Sequence, residues 1–399
     1  MPYFQSPKVL YGAGILRRLS AEIAGKGNKA VVITDKFMAK LSEKVVEAVK
    51  SAGYEVKVWD GAEPEPKIEV ALAGSKVLLE FNPQFIIAFG GGSVIDTAKG
   101  AWLLYERPDL ASTELDKTVI PRAALGLRKK AKLIAIPTTS GTGSEATWAA
   151  ILTDAAKHRK VALANNDIVP DIAVLEPEFT VGMPKELTAS TGLDVLGHAL
   201  DGYTSRQQND FSDGLCLQAM KLAFEWLPKA CKDGNDLVAR AKMQNAAAIA
   251  GLGFGNSNTS LSHALAHSVG ATFKIPHGRT VGIALTYSLE YITSNPVLPN
   301  VPDPAEKLAT AANLIGVGGA TAQEKIKKLI QKIRDLQKEL GEPLTLKEAG
   351  ITKQQMTDSL DTLANVATTD PNMPSSPCEC KDQKLKQLFL DMWEGKEAA

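Results

Sequence analysis

Histidine is scarce in this chain and concentrated in one stretch. Of five histidines in 399 residues, three lie close together as His263, His267 and His277. The fourth, His198, follows Asp194 by four residues, and His267 follows His263 by the same spacing, so each pair shares one face of a predicted helix. Imidazoles with one carboxylate form a common ligand set for Fe(II) or Zn(II). The spacing leaves open which three histidines bind, and each histidine taken singly could instead be a hydrogen-bonded core residue.

A run of glycines follows an apolar strand in "FIIAFGGGSVIDTAKG". Gly90, Gly91 and Gly92 let the backbone approach a ligand closely, and Ser93 stands where a helix begins. The amide groups of that first helical turn point at a bound anion, so the loop predicts a phosphate site. The alternative is a tight turn without a ligand. The pattern is not GxGxxG, which excludes the usual dinucleotide fingerprint.

A second loop of the same kind ends another apolar run in "KLIAIPTTSGTGSE". Its hydroxyl side chains are Thr138, Thr139, Ser140, Thr142 and Ser144. A solvated polar turn is the alternative, but the loop repeats the arrangement of the first one. The two loops together indicate a dinucleotide.

Acidic and basic residues complete the predicted nucleotide site. Asp35 ends the strand "KAVVITD", where a carboxylate can accept hydrogen bonds from ribose hydroxyls and repel a 2′-phosphate, which favours NAD over NADP. A helix N-cap is the equally weighted alternative for Asp35. Lys160 enters the predicted strand "KVALAN" and could reach toward the cofactor, or could face solvent. His158, among charged residues, is predicted to lie on the surface.

The elements that position these residues change character along the chain. Strands such as 29–35 alternate with helices such as 36–53, which predicts a parallel sheet covered on both faces. After residue 184 the segments are helical, and His277 is expected in a loop after Pro276. We therefore predict an α/β domain over 1–184 and an all-α domain over 185–399.

Composition narrows the class of protein. The 45 basic and 45 acidic residues balance, so a nucleic-acid surface is not expected. No targeting signal and no apolar run long enough to span a membrane is apparent. Four cysteines are too few for a disulfide scaffold, which predicts a reduced, cytoplasmic protein. Cys378 and Cys380 are predicted to be ordinary residues, since two thiols do not complete a zinc site.

Six motifs in order give the chain a family resemblance. They are "VLYGAG", "GGGSVIDTAKG", "IPTTSGTGSEAT", "DIAVLEPEFTVGMP", "TGLDVLGHALDGY" and "LSHALAHSVGATFKIPHGRTVGIAL". In these residues the chain resembles the iron-dependent (group III) alcohol dehydrogenases over essentially its whole length. The resemblance implies a Rossmann-like, dinucleotide-binding α/β domain followed by a helical domain, a fold shared with dehydroquinate synthase, with the active site in the cleft between the two.

The resemblance also assigns roles to residues of this chain. It implies that Asp194, His198, His263 and His277 hold Fe(II), or possibly Zn(II), and that His267 lies beside the nicotinamide and substrate. The cofactor contacts expected for NAD are Asp35, Gly90, Gly91, Gly92, Ser93, Asp96, Thr138, Thr139, Thr142, Ser144 and Lys160. One position departs from the family pattern: Glu65 replaces an asparagine that helps to contact the cofactor, so that role is not carried over.

The activity implied is reversible hydride transfer between a small primary alcohol, or its aldehyde, and NAD, by a homodimer or larger oligomer. Two enzyme classes on the same fold remain alternatives, glycerol dehydrogenases and sugar-phosphate cyclases. The small apolar residues around the histidines favour an uncharged alcohol over a phosphorylated substrate. A non-catalytic NAD- or metal-binding protein is the remaining alternative.

Overall fold

The chain divides into two compact units. The computed structural model describes residues 4–120, 123–155 and 159–396, so the predicted surface residue His158 lies outside the described residues. The units are Met1–Gly182 and Met183–Ala399. The boundary predicted from the sequence was placed two residues later, after 184.

The first unit is an α/β structure built on a six-stranded parallel sheet in the order β1-β8-β5-β4-β2-β3. Strands β6 and β7 form a separate antiparallel hairpin. The strands are β1 (Lys8–Tyr11), β2 (Lys29–Asp35), β3 (Glu55–Ala62), β4 (Phe85–Gly90), β5 (Lys132–Pro137), β6 (Ala149–Asp154), β7 (Arg159–Ala164) and β8 (Ile172–Leu175). The helices are α1 (Leu16–Ile23), α2 (Glu43–Ser51), α3 (Ile68–Phe81), α4 (Gly92–Glu106) and α5 (Leu115–Thr118).

Both faces of the central strands β2, β4, β5 and β8 are buried, which explains why these strands are largely apolar. Along β2, Val31 and Ile33 belong to the core on one face, and Ala30 and Val32 to the core on the other. This two-residue alternation is what a covered parallel strand requires. The predicted parallel sheet and Rossmann-like fold class are confirmed.

Chain order reverses beside β2, and this reversal creates a binding position. β2 pairs with β3 on one side and with β4 on the other, so the connections diverge from β2 in opposite directions. Ligands of open α/β sheets bind at the carboxyl ends of strands at such a point. Asp35 lies at the carboxyl end of β2. Gly90 and Pro137 lie at the carboxyl ends of β4 and β5, where they pair in register. The fold therefore brings the acidic residue and both predicted loops to one edge.

The helix predicted over 36–53 is shorter in the structure. Residues 36–42 form turns and α2 begins only at Glu43. The Met38 amide donates to Asp35 Oδ1 (2.8 Å), which closes a turn in place of a helical start. Phe37, within this turn, is 86% exposed and so does not pack into the core.

In the part of the second unit that the structure describes, the regular elements are all helices, apart from one isolated β-bridge between Val297 and Cys378. Its helices are α6 (Lys185–Thr204), α7 (Asp210–Lys232), α8 (Leu237–Phe254), α9 (Leu261–Phe273), α10 (His277–Ser294), α11 (Pro304–Leu314), α12 (Ala322–Leu340), α13 (Lys353–Thr369) and α14 (Asp382–Glu394). The prediction that His277 lies in a loop is wrong: Pro276 is the N-cap, with its φ fixed by the ring, and His277 is the first residue of α10. None of the described helices combines the length and apolarity that crossing a bilayer requires.

Candidate functional site

Three imidazoles surround one buried carboxylate in the helical unit. Asp194 Oδ1 on α6 lies 3.5 Å from His277 Nε2, 3.6 Å from His263 Nε2 and 3.8 Å from His198 Nε2. The ligand atoms of Asp194, His263 and His277 all lie within 4.8 Å of one another. The structure therefore brings together all four residues that the family resemblance implied as ligands, from three different helices, with His198 slightly further from Asp194 than the other two histidines.

Two of these atoms have no partner of their own. Asp194 Oδ1 and His263 Nε2 are buried, and neither makes a hydrogen bond to any described residue. A buried carboxylate oxygen or ring nitrogen without a partner is costly, and such atoms indicate a site for a water or an ion. One carboxylate and imidazole nitrogens suit Fe(II) or Zn(II), so the residues present fit a divalent ion.

The electrostatics of the site favour positive charge. Burial alone would raise the pKa of Asp194, but His198, His277 and His263 around it reverse that effect and hold the pKa below its usual range. Burial alone would lower the pKa of His263, but the facing carboxylates of Asp194 and Asp201 outweigh it and raise the pKa to about 9. The site thus stabilises a cation among its imidazoles, which is the charge that a divalent ion supplies.

A residue that sequence reasoning missed orients one of these histidines. Asp201 Oδ2 lies 2.8 Å from His263 Nδ1 and also accepts the backbone amides of Ser260 (2.9 Å) and His263 (3.2 Å). An ionised carboxylate only accepts, so Nδ1 carries a proton, and it is Nε2, facing Asp194, that is left to bind an ion. The signal was present in the sequence, since Asp201 follows Asp194 by seven residues, two helical turns along the same face.

The site is closed on one side and open on the other. The side chains of Asp194, His198 and His263 are 2%, 7% and 3% exposed, whereas that of His277 is 41% exposed. His198 stacks on Phe254 with ring centroids 4.2 Å apart, which seals its outer face. Catalytic metal sites keep one position open, and the side near His277 is where a substrate oxygen can enter.

His267 borders this cluster without joining the ligand group. Its ring stacks on His277 at 5.2 Å and meets His263 edge-on at 6.2 Å. Its Nδ1 lies 2.8 Å from Asp370 Oδ2. The family resemblance implied a place for His267 beside the nicotinamide and substrate; the structure puts its ring next to the proposed ligands, with Nδ1 bonded to a carboxylate.

In the first unit, the three glycines of the GGG run have different reasons to be glycine. A methyl group on Gly90 would lie 2.5 Å from Val94 Cγ2, and one on Gly92 would lie 2.8 Å from Thr142 Cγ2, so packing excludes a side chain at both. Gly91 has φ −74° and ψ −175°, which any residue adopts, and an added methyl would meet only Thr139, at 3.4 Å. No side chain caps α4, which Gly91 precedes. Glycine at 91 leaves space beside uncapped amides, which is what the predicted phosphate site requires.

The second loop presents unused hydroxyls at the same edge. Thr138 and Ser140 are 1% and 4% exposed, and neither side-chain oxygen finds a partner among the described residues. Buried hydroxyls without partners point to a polar ligand. Ser140 was noted in the sequence as one of five hydroxyls but was not among the expected cofactor contacts. Thr142 Oγ1 instead accepts the Ser144 amide at 3.2 Å and shapes the loop.

Other residues expected at the cofactor are engaged within the protein. Ser144 donates to Asp96 Oδ1 (2.6 Å), and Asp96 Oδ2 accepts the Ile151 amide (2.9 Å). Lys160 is exposed and donates to Thr153 Oγ1 at 3.0 Å across the hairpin. Asp35 Oδ1 accepts the Met38 amide within a turn, and because α2 begins only at Glu43 the helix N-cap alternative for Asp35 is not realised. These contacts frame the loops, and a cofactor contact by Asp96, Ser144 or Lys160 stays a prediction.

A buried lysine joins the helix of the first loop to the second loop. Lys99 on α4 is fully buried, and its ammonium donates to the carbonyls of Thr147 (2.9 Å) and Ala149 (2.7 Å) and to Ser144 Oγ (3.2 Å). Burial lowers the pKa of Lys99 to about 8, against the opposing effect of Asp96 and Glu145. Lys99 thus links α4, which follows the glycine loop, to the end of the second loop and the residues that follow it.

Glu145 makes the stability of this region depend on pH. Burial raises its pKa to about 7 from an ordinary value of 4.5, although its own backbone amide and Lys99 oppose the shift. Because the folded state holds the proton more tightly, its contribution is fully present below about pH 4.5 and is lost as pH rises through about 7. The loss is at most about 3 kcal/mol.

We expect Glu145→Gln, which stays neutral, to remove that dependence. Relative to wild type, the variant should gain about 1–3 kcal/mol in free energy of unfolding between pH 5 and pH 8, as measured by urea denaturation. Glu47→Gln, at an exposed position on α2, serves as the control and should follow wild type. Parallel pH profiles for wild type and Glu145→Gln would contradict the prediction.

Known proteins match the chain over nearly its whole length. The sequence-family model described as iron-containing alcohol dehydrogenase matches residues 6–177. A second family model, for the C-terminal part of the Fe-containing alcohol dehydrogenase family, matches residues 188–393. An NADPH-dependent butanol dehydrogenase of Clostridium saccharobutylicum is 35% identical over 402 residues, which cover 100% of this chain and 99% of that protein.

Solved structures agree in fold. The iron-containing alcohol dehydrogenase from Thermococcus thioreducens has a TM-score of 0.88 at 31% identity, covering 99% of this chain and 100% of that one. A sulfoacetaldehyde reductase from Bifidobacterium kashiwanohense in complex with NAD+ has a TM-score of 0.83 at 26% identity, covering 98% of each chain.

Proposed function

Because the chain belongs to the iron-containing alcohol dehydrogenase family, and is an oxidoreductase acting on alcohols, we propose that it interconverts a small primary alcohol and its aldehyde with NAD and one Fe(II). The proposed ligands are Asp194, His198, His263 and His277. The observation that carries the proposal is the convergence of three imidazole nitrogens on one partnerless, buried carboxylate oxygen.

Different residues of the chain have different roles in the proposed reaction. A divalent ion in such a site supplies a Lewis acid that stabilises negative charge developing on the substrate oxygen. The exposed side of His277 admits that oxygen, while Phe254 and the buried ligands exclude water from the opposite side. His267, beside the ligands, accepts the alcohol proton, and the substrate carbon transfers its hydride to the nicotinamide. The alanine-rich neighbourhood "LSHALAHSVGA" suits a small, uncharged substrate.

The cofactor preference rests on the edge of the sheet. Gly91, Thr138 and Ser140 offer uncapped amides and unused hydroxyls to a dinucleotide. A relative of this chain is NADPH-dependent, whereas a structural neighbour binds NAD+, so family membership alone does not decide between the two cofactors. Asp35 at the end of β2 supports NAD, because its charge opposes a 2′-phosphate. A higher kcat/KM with NADPH than with NADH would contradict this preference.

Gly91→Ala is expected to weaken cofactor binding without weakening the fold. The added methyl has room in the free protein but occupies the space in which the pyrophosphate approaches the amides. We expect the dissociation constant for NAD, measured by calorimetry, to rise about 10–100-fold, which corresponds to the 1–3 kcal/mol of an overpacked contact. Gly214→Ala on α7, where nothing lies within 4 Å, is the control and should bind NAD as wild type does. Equal affinity in Gly91→Ala would remove the phosphate-binding role from this loop.

A substrate panel tests the proposed activity. NADH absorbance is followed while the iron-loaded protein is offered ethanol, butanol, propanediols, glycerol and the matching aldehydes. We expect metal-dependent turnover of a small primary alcohol or aldehyde, and turnover of none of them would contradict the proposal. We further propose, from the family resemblance, that the protein is a cytoplasmic homodimer or larger homo-oligomer without nucleic-acid or membrane partners.

A further inference from the structure

A carboxylate far away in sequence holds the histidine next to the metal site. His267 lies on α9, and Asp370 follows the end of α13, 103 residues later. Their closest atoms, His267 Nδ1 and Asp370 Oδ2, are 2.8 Å apart. The Asp370 side chain is 7% exposed and that of His267 is 34% exposed. The nearly buried Asp370 carboxylate is therefore bonded to Nδ1 of His267, while the rest of the imidazole ring is partly exposed to solvent.

The geometry decides which ring nitrogen carries the proton. Two groups compete for His267 Nδ1: Asp370, which as a carboxylate only accepts, and the side-chain amide nitrogen of Asn372, which only donates. Asp370 is at 2.8 Å and Asn372 Nδ2 at 3.5 Å, the limit of a hydrogen bond. The shorter, charge-assisted bond prevails, so Nδ1 is the donor and Nε2 is the ring nitrogen left to accept a proton.

Asp370 is itself held in place. Its Oδ1 accepts the backbone amide of Asn372 at 2.9 Å, and Asn372 Oδ1 accepts the Thr259 hydroxyl at 2.9 Å. Thr259 stands two residues before α9 begins, so the chain of bonds returns to the helix that carries His267. The carboxylate and the ring thus belong to one closed network, which fixes the orientation of the ring as well as its tautomer.

We propose that Asp370 is a positioning residue for the reaction: it keeps His267 in the Nδ1–H tautomer and so presents Nε2 as the acceptor of the substrate proton. This role rests on the proposed function. In oxidation, the alcohol O–H proton passes to His267 Nε2, the O–H electron pair forms the carbonyl, and the hydride on the adjacent carbon reduces NAD+ to NADH. In the reverse direction the protonated ring returns the proton to the oxygen.

Asp370→Asn tests the proposal, because it keeps the size of the side chain but offers an NH2 group to Nδ1. In Zn(II)-loaded protein labelled with 15N-histidine, and assigned with His267→Gln, wild type should show a protonated Nδ1 and a bare Nε2 at His267. In Asp370→Asn the two nitrogens should exchange these signatures. We expect kcat to fall about 10²-fold, at the lower end of the range for general acid–base catalysis, with metal content and KM unchanged.

Two further variants separate positioning from structure. Asp358→Asn, on the exposed face of α13, should leave both the tautomer and kcat as in wild type. Asp370→Glu restores a carboxylate, so it should return the Nδ1–H signature and part of the lost kcat. A bare Nδ1 in wild type, or unchanged kcat in Asp370→Asn with the tautomer reversed, would overturn the proposal. Failure of the proposed function is distinct, because the nitrogen signals are read without turnover, whereas that failure shows as an inactive wild type.

Discussion

His263→Ala is expected to lose the metal and the activity together. His263 Nε2 is the buried ring nitrogen without a partner that faces Asp194 at 3.6 Å, so its removal deletes a ligand of the proposed ion. Loss of a residue that only hydrogen-bonds to a metal ligand already lowers metal affinity about 10–100-fold. Loss of the ligand itself should lower it more than about 100-fold. Without the ion, several kcal/mol of charge stabilisation disappear, so turnover should fall on the order of 10³-fold or more. Metal analysis of the purified variant, together with NADH absorbance, measures both.

His267→Ala is the matched comparison on the same helix. It lies four residues away and outside the ligand group, so we expect it to keep its metal while turnover falls about 10²–10⁴-fold. His263→Gln checks the fold of the ligand variant, because alanine leaves Asp201 buried without its imidazole. Full metal content and activity in a folded His263 variant would refute the ligand assignment.

Gly278→Ala is expected to disturb the site through the backbone alone. Gly278 follows the proposed ligand His277 at the start of α10, and an added methyl would lie 2.3 Å from the Ser190 carbonyl oxygen and 2.7 Å from its carbon. Backbone atoms of α6 cannot rotate away as a side chain could, so the start of α10 must shift from α6. Asp194 lies one turn beyond Ser190, and the shift therefore separates His277 from Asp194.

The expected cost is about 1–3 kcal/mol in the free energy of unfolding, from overpacking. A misplacement of about 1 Å can cost about 10²-fold in rate, so kcat should fall by that order. Urea denaturation and steady-state kinetics measure the two effects. Gly270→Ala on α9 is the control, since its nearest neighbour is Ile275 O at an ordinary 3.5 Å, and it should keep wild-type activity and stability. Wild-type kinetics in Gly278→Ala would show that the spacing of α6 and α10 does not position His277.

Local sequence signals predicted what depends on neighbouring residues. Apolar runs such as "KAVVITD" gave the buried strands because a covered parallel strand has no polar face. The four-residue spacing of Asp194 with His198 gave one face of α6, and their convergence with His263 and His277 followed from the scarcity of histidine together with the family resemblance. Gly91 shows a limit of this approach: all three glycines look alike in sequence, but only the structure separates the one that packing does not require.

Long-range pairings could not be predicted because no periodicity encodes them. Asp370 reaches His267 across 103 residues through the end of one helix and a short turn. The burial of Glu145, which raises its pKa, depends on α4 and the hairpin packing around a polar loop. In both cases, tertiary contacts override what the local residues favour. The late start of α2 has a different cause, because there a local turn, in which the Met38 amide donates to Asp35 Oδ1, replaces the first part of the predicted helix over 36–53.

Titration of metal-free protein with Fe(II), without oxygen, tests the central claim most directly. NAD-dependent oxidation of a small alcohol is followed as the ion is added, with bound iron measured in the same samples. The structure predicts no turnover at the start and a linear rise that ends at one ion per chain, with His263→Ala binding no iron and showing no rise. Turnover that is complete before any iron binds, or absent when one iron is bound, would contradict a catalytic metal centre at Asp194 and its three histidines.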